Sequence, residues 1–233
     1  MDRSIDLNAD LGEGCPWDEA LLDRVTSASV ACGLHAGDAR VMGETLRMAR
    51  DRGVVVGAHP SFDDRAGFGR VEQDVEPGEV RRLVERQLAD LADVADGLNL
   101  PIRFVKPHGA LYNQAQRDPA IAGAILEALA GRGLPILGLP GGEVERLAAG
   151  HGVAFVGEGF ADRRYWADGR LVPRTEAGAI LDDPAEVRAQ ALALVDRGVR
   201  TLCIHGDDPR SVGLADLVIA TLDGSGVARR AFA

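Results

Sequence analysis

Short apolar runs alternate with longer stretches of helical periodicity from one end of this chain to the other. Segments 4–10, 29–34, 54–58, 102–106, 135–139, 154–158 and 201–205 read as strands, being short, rich in aliphatic residues and bounded by Gly, Pro or Asp. Segments 18–25, 39–51, 77–95, 119–130, 143–149, 184–197 and 211–222 carry the 3.6-residue period of helices. Many of these open on Asp, Ser or Pro, residues that satisfy or lack the free N–H groups of a first helical turn. So regular an alternation predicts a parallel sheet with crossover helices. Seven units predict an α/β fold of the TIM-like kind, a closed seven-stranded parallel (β/α) barrel. An open doubly wound sheet is the second choice, weakened because no G-x-G-x-x-G follows the first strand. No linker, low-complexity tract or long-period repeat interrupts the pattern, so residues 1–233 are expected to form one barrel domain.

The polar residues gather where the strands end. Strand one closes on Asn8-Ala9-Asp10 and runs into Leu11-Gly12-Glu13; strand two leads to His35-Ala36-Gly37-Asp38; strand three to His59-Pro60-Ser61 and Asp63. Strand four ends at Lys106 and His108, strand six leads through Glu158 to Asp162-Arg163, and strand seven to His205-Gly206-Asp207. In a parallel barrel all these ends meet at one rim, where such enzymes keep their active sites. The two-residue period of a strand places Asn8 with Asp10, Lys106 with His108, and His205 with Asp207 on common faces. Of the 5 histidines only His151, in a glycine-flanked turn, stands apart from the rim. A lone strand-end histidine is more often structural, and Glu158 or Asp63 could each serve only as a cap or an ion-pair partner. Four histidines with acidic or lysine neighbours are better explained by chemistry.

Composition sharpens this. Of the 26 basic residues, Lys106 alone is lysine. Arginine is a planar fork that stays charged, whereas a lysine ammonium is compact and changes pKa on burial, so its retention at a strand end points to a need for that group. The net charge of -10 argues against nucleic acid as a partner. No run approaches the roughly 20 apolar residues of a membrane span, and residues 1–6 have no signal-peptide character, so no membrane association and a cytoplasmic location are expected. Cys15, Cys32 and Cys203 are odd in number and lack metal-like spacing, consistent with a reducing compartment.

Asp6-Leu7-Asn8-Ala9-Asp10-Leu11-Gly12-Glu13-Gly14 resembles the opening signature of the LamB/YcsF family, the A subunits of 5-oxoprolinase. The resemblance continues through Ala31–Asp38, Gly57–Ser61, Gly67-Phe68-Gly69-Arg70, Val105–Asn113, Glu158–Arg163 and Cys203–Asp207, almost end to end. It implies a seven-stranded barrel similar to polysaccharide deacetylases. It also implies ATP-dependent opening of 5-oxo-L-proline to L-glutamate, in company with two other 5-oxoprolinase subunits. Two departures stand out: Ser27-Ala28-Ser29-Val30 replaces the usual S-A-N-I, and a surface insertion of about a dozen residues common between helix seven and strand seven is missing.

The chemistry implied asks the site to hold a polyanion, activate water and protonate a ring nitrogen, because an unstrained lactam is a poor electrophile until its oxygen is phosphorylated. Lys106 suits a charge clamp on a phosphoryl group or the lactam oxygen. His108 or His205 suits the proton transfers, with Asp207 orienting a neighbouring imidazole and Asp10 activating water. Arg163 could grip the substrate carboxylate. Asn8, Glu13, His35, Asp38, His59, Glu158 and Asp162 complete the expected substrate-binding set. ATP is expected as cosubstrate, with Mg²⁺ arriving on the nucleotide, but no G-x-x-x-x-G-K-[ST] marks where it binds. The histidines sit far apart in sequence, so no protein-bound transition metal is expected. Two rivals remain: a metal-dependent deacetylase or amidohydrolase using the same N and O donors, and a non-catalytic barrel that binds a small ligand.

Overall fold

A computed structural model describes residues 3–233. Seven parallel strands close into a barrel: β1 (Ser4–Leu11), β2 (Ser27–Ala31), β3 (Val55–His59), β4 (Ile102–Val105), β5 (Ile136–Gly138), β6 (Phe155–Phe160) and β7 (Thr201–His205). Closure is made by β1, which pairs with β2 through Asn8–Ser27 and Asp10–Ser29 and with β7 through Asp6–Thr201 and Asp10–His205. A two-residue strand, β8 (Ala228–Arg229), pairs with the start of β1. The helices are α1 (Asp18–Leu22), α2 (Ala39–Arg52), α3 (Pro77–Asp96), α4 (Gly109–Ala115), α5 (Pro119–Leu129), α6 (Glu143–Ala148), α7 (Pro184–Asp196) and α8 (Ser211–Gly224).

The main apolar core lies between barrel and helices. Leu7, Ala9 and Leu11 of β1 and Leu202 and Ile204 of β7 are fully buried there, against stripes such as Met42, Leu46 and Ala49 of α2. The caps follow local chemistry: Asp38 accepts from the Val41 amide at the start of α2, and Pro77, Pro119 and Pro184 open α3, α5 and α7.

The barrel interior is layered. Phe104, Leu137 and Val156 fill its floor, where Phe232 packs edge-on to Phe104 at 5.2 Å between ring centroids. Above them lies a polar layer: Asp6 accepts from Thr26, Ser27 and Thr201 at 2.6, 2.8 and 2.5 Å. Burial raises the Asp6 pKa, and these three hydroxyls only partly oppose it.

This layer explains one departure from the sequence reading. The strand expected at 29–34 spans Ser27–Ala31; its start escapes the pattern because Ser27, which donates to Asp6 in the polar interior, does not look like part of an apolar run. Helix α4 is too short to show a period, and β8 has only two residues, so neither is legible in the sequence pattern. The segment after β6, to which the sequence pattern assigns no element, forms antiparallel bridges Arg163–Ile180 and Tyr165–Leu171. Gln190 on α7 ties it down by donating to the carbonyls of Phe160, Ala161 and Arg163.

Candidate functional site

A cavity of about 370 Å³ opens at the carboxyl ends of the strands. Asp10, His59, Lys106, His108 and His205 form its inner wall, and five arginines, Arg70, Arg117, Arg163, Arg170 and Arg174, stand around it. Leu171, Val172 and Trp166 cover it from the segment after β6.

Lys106 is the hub. It follows β4 directly, and its amide donates to the Ala58 carbonyl, so the side chain enters the barrel axis. The ammonium lies 2.8 Å from Asp10 Oδ1, 2.8 Å from Glu158 Oε1, 3.2 Å from Asn8 Oδ1 and 2.9 Å from Cys203 Sγ. Only 2% of its side chain is exposed, so charge is kept there by partners and not by water. Burial works against the ammonium, yet Asp10, Cys203 and Glu158 hold its pKa well above the ordinary lysine value. Burial likewise opposes ionisation of Asp10, and Lys106 with His59 and His205 outweighs it, leaving that carboxyl far below the usual carboxylate range. Asp10 is therefore a counter-ion anchored on Lys106, a setting that disfavours its expected role in activating water.

A second cluster adjoins the first. His35, His59 and His108 are buried, and their side chains converge with that of Glu13. His59 Nε2 and His108 Nδ1 are 2.9 Å apart, and His35 Nε2 lies 3.3 Å from Glu13 Oε1. Burial and mutual proximity keep the imidazoles neutral: His59 is brought down to about 4, His35 to about 2, and His108 well below its ordinary value. Burial, then the charges of Asp10 and Asp207, raise Glu13 well above the carboxylate range. The wide sequence separation of these histidines argues against a dense ligand set; the fold removes that argument, because the four donors lie within 4.8 Å of one another.

Two sequence expectations are corrected. His205 does not pair with Asp207: β7 ends at His205, the chain turns, and Asp207 bonds Arg70 with Arg174 at 3.8 Å. The carboxylate near His205 is Asp162, with 3.6 Å between Nδ1 and Oδ2, while the imidazole stacks on Phe160 at 5.2 Å. Gly206 makes the turn possible, since a Cβ there would run into the Asp10 carbonyl. Asp38 is an exposed helix cap outside the cavity, not a substrate contact. Arg163 lines the cavity but donates to the Val172 carbonyl at 2.7 Å, and burial beside Arg174 brings its pKa down to about 10.

Other residues escape the sequence reading. Cys203 touches Lys106, and its position two residues before His205 on one strand face is the available signal. Arg70 lies in a motif that carries the resemblance but suggests no role. Tyr112, on the short helix α4, lines the cavity with its hydroxyl buried and unpartnered.

Fold and site together define a closed parallel β/α barrel with a titratable pocket at the carboxyl ends of its strands. The chain belongs to the LamB/YcsF family, whose model matches residues 5–233. It is 48% identical over 235 residues to the 5-oxoprolinase A subunit of Methylococcus capsulatus, covering 92% of this chain and 90% of that one. Identity to the 5-oxoprolinase A subunit of Streptomyces avermitilis is 45% over 249 residues, covering 98% and 100%. The crystal structure of a lactam utilization protein from Thermus thermophilus superposes with a TM-score of 0.90 at 38% identity, covering 98% and 100%. A family 4 carbohydrate esterase from Streptomyces lividans shares the fold, with a TM-score of 0.59 at 11% identity over 100% and 94% of the two chains.

Proposed function

We propose that the protein is one subunit of an ATP-dependent 5-oxoprolinase that opens the lactam of 5-oxo-L-proline to L-glutamate. The observation that carries this reading is the buried Lys106 ammonium on Asp10 at the base of a cavity ringed by arginines. The names of relatives up to 48% identical support the substrate class. Lys106 is a fixed positive charge for the oxygen that becomes negative, or carries phosphate, as the ring opens. His205, beside Asp162, moves the proton between water and the ring nitrogen. Arg163 and its neighbour Arg174 bind the substrate carboxylate or a phosphoryl group. ATP, with Mg²⁺ on its phosphates, and two further subunits complete the reaction. The test is 5-oxoproline-dependent ADP and glutamate release, measured with this chain alone and with its partner subunits. Turnover that requires this chain and ceases with Lys106→Arg supports the reading; glutamate production unaffected by omitting the chain refutes it.

A further inference from the structure

The histidine cluster has a proton problem that its own hydrogen bonds define. His59 Nδ1 lies 2.7 Å from the Lys106 carbonyl oxygen, and His108 Nε2 lies 2.9 Å from the Phe68 carbonyl oxygen. A carbonyl only accepts, so both nitrogens carry hydrogen. In neutral rings the opposite nitrogens, His59 Nε2 and His108 Nδ1, are then bare, yet they face each other at 2.9 Å. Two lone pairs at that separation repel unless a cation joins them. Glu13 Oε1 is 3.6 Å from the same His108 nitrogen, and Glu13 Oε2 is buried with no partner. The Glu13 side chain is 2% exposed, so water does not satisfy it.

We propose that His59 Nε2, His108 Nδ1 and the Glu13 carboxylate are the protein ligands of a first-row divalent transition cation, zinc foremost. Two imidazoles and one carboxylate suit that class, whereas Mg²⁺ and Ca²⁺ favour oxygen donors alone. The two backbone carbonyls hold the distal N–H groups and fix both rings, as is usual behind metal-binding histidines. His35 is not a ligand: it stacks on His108 at 3.8 Å with planes 4° apart, so the two lone pairs run parallel and do not converge. Its Nε2, 3.3 Å from Glu13 Oε1, holds the carboxylate in place instead. A proton shared between the two rings is the competing occupant. It would join the facing nitrogens but leave Glu13 Oε2 without a partner.

A second group of donors, Asp10, Cys203 and His205, does not compete for the cation. Lys106 already donates to Asp10 and Cys203 there, and a metal ion would meet that positive charge. His59 and His108 both line the cavity, so a cation on them is within reach of a bound carbonyl or water. The site is inferred from geometry and does not rest on the reaction proposed above.

The experiment is metal content, which no failure of the 5-oxoprolinase assay can mimic. Untagged protein is stripped with a chelator, dialysed against Zn²⁺ and analysed for bound metal; a Co²⁺-loaded sample is read by its visible d–d absorption. One equivalent is expected, lost in His59→Ala and His108→Ala and lost or greatly weakened in the near-isosteric Glu13→Gln. His35→Ala should weaken binding by about 10–100-fold, while His151→Ala and His205→Ala should bind as the parent does. Circular dichroism checks each variant's fold, and Glu13→Gln carries the test if an alanine variant fails to fold. No stoichiometric metal in the reloaded parent would overturn the proposal in favour of a shared proton. Full occupancy in Glu13→Gln, or loss in His205→Ala, would overturn the ligand set.

Discussion

Lys106 Nζ donates to Asp10 Oδ1 at 2.8 Å across the barrel axis, with both side chains buried. The two residues are 96 positions apart, and each holds the other's charge in an interior that would otherwise suppress it. Replacing Lys106 tests this directly. Lys106→Arg keeps the charge but puts a larger fork where a point cation fits, and kcat for 5-oxoproline-dependent ADP release is expected to fall by about 10²–10³. Lys106→Met strands Asp10 and Glu158 together without a cation and should lose about 3–5 kcal/mol in urea unfolding. Near-parental turnover by the arginine variant would reduce Lys106 to an interchangeable cation.

His205 and Asp162 are expected to act as a pair, and His205 and Asp207 are not. The 3.6 Å approach of Asp162 makes its carboxylate the one that can orient the imidazole. Activity losses in His205→Ala and Asp162→Ala should therefore be strongly non-additive in the double variant. His205→Ala with Asp207→Ala should be closer to additive, since Asp207 is engaged by Arg70. His151→Ala, in the turn after α6, should leave kcat within about twofold of the parent. Additive losses for His205 and Asp162 would sink the pairing.

Asp18 gives a pH signature. Its Oδ2 accepts from the Gly12 amide at 2.8 Å, its Oδ1 is buried without a partner, and burial raises its pKa to about 6. A raised carboxyl binds its proton more readily in the folded chain, so its stabilising effect is fullest below the unfolded value near 3.8 and is lost as pH rises through about 6. Asp18→Asn removes that charge. Its stability relative to the parent should rise between pH 4 and 6 and level off above, by up to about 2 kcal/mol. Denaturant unfolding at pH 4 and pH 8 measures this, and a pH-independent difference would show that Asp18 is not charged at cost in the folded state.

Asp38 is expected to matter to stability alone. Its side chain caps α2 through the Val41 amide at 2.8 Å, so Asp38→Ala should cost about 1 kcal/mol. KM and kcat should be unchanged. A substantial rise in KM without loss of stability would restore Asp38 to the substrate contacts.

The sequence by itself determined the strand ends and the chemistry they carry. Asn8 and Asp10, two residues apart, face the same interior, and Lys106 meets them there, because strand and helix periods are written locally. What it could not state is which rim residues touch. Thr201 reaches Asn8 across 193 residues, and Glu158 reaches it across 150, only because β1 is sandwiched between β2 and β7 when the sheet closes. Sequence neighbours suggest Asp207 for His205, but the turn at Gly206 swings that carboxylate to Arg70 and leaves Asp162, two residues beyond β6, at the imidazole. The same closure brings His35, His59 and His108 from three separate segments into one buried cluster. Periodicity fixes the face on which a side chain lies; the stagger of a closed barrel fixes its neighbours, and that stagger is a property of all the strands together.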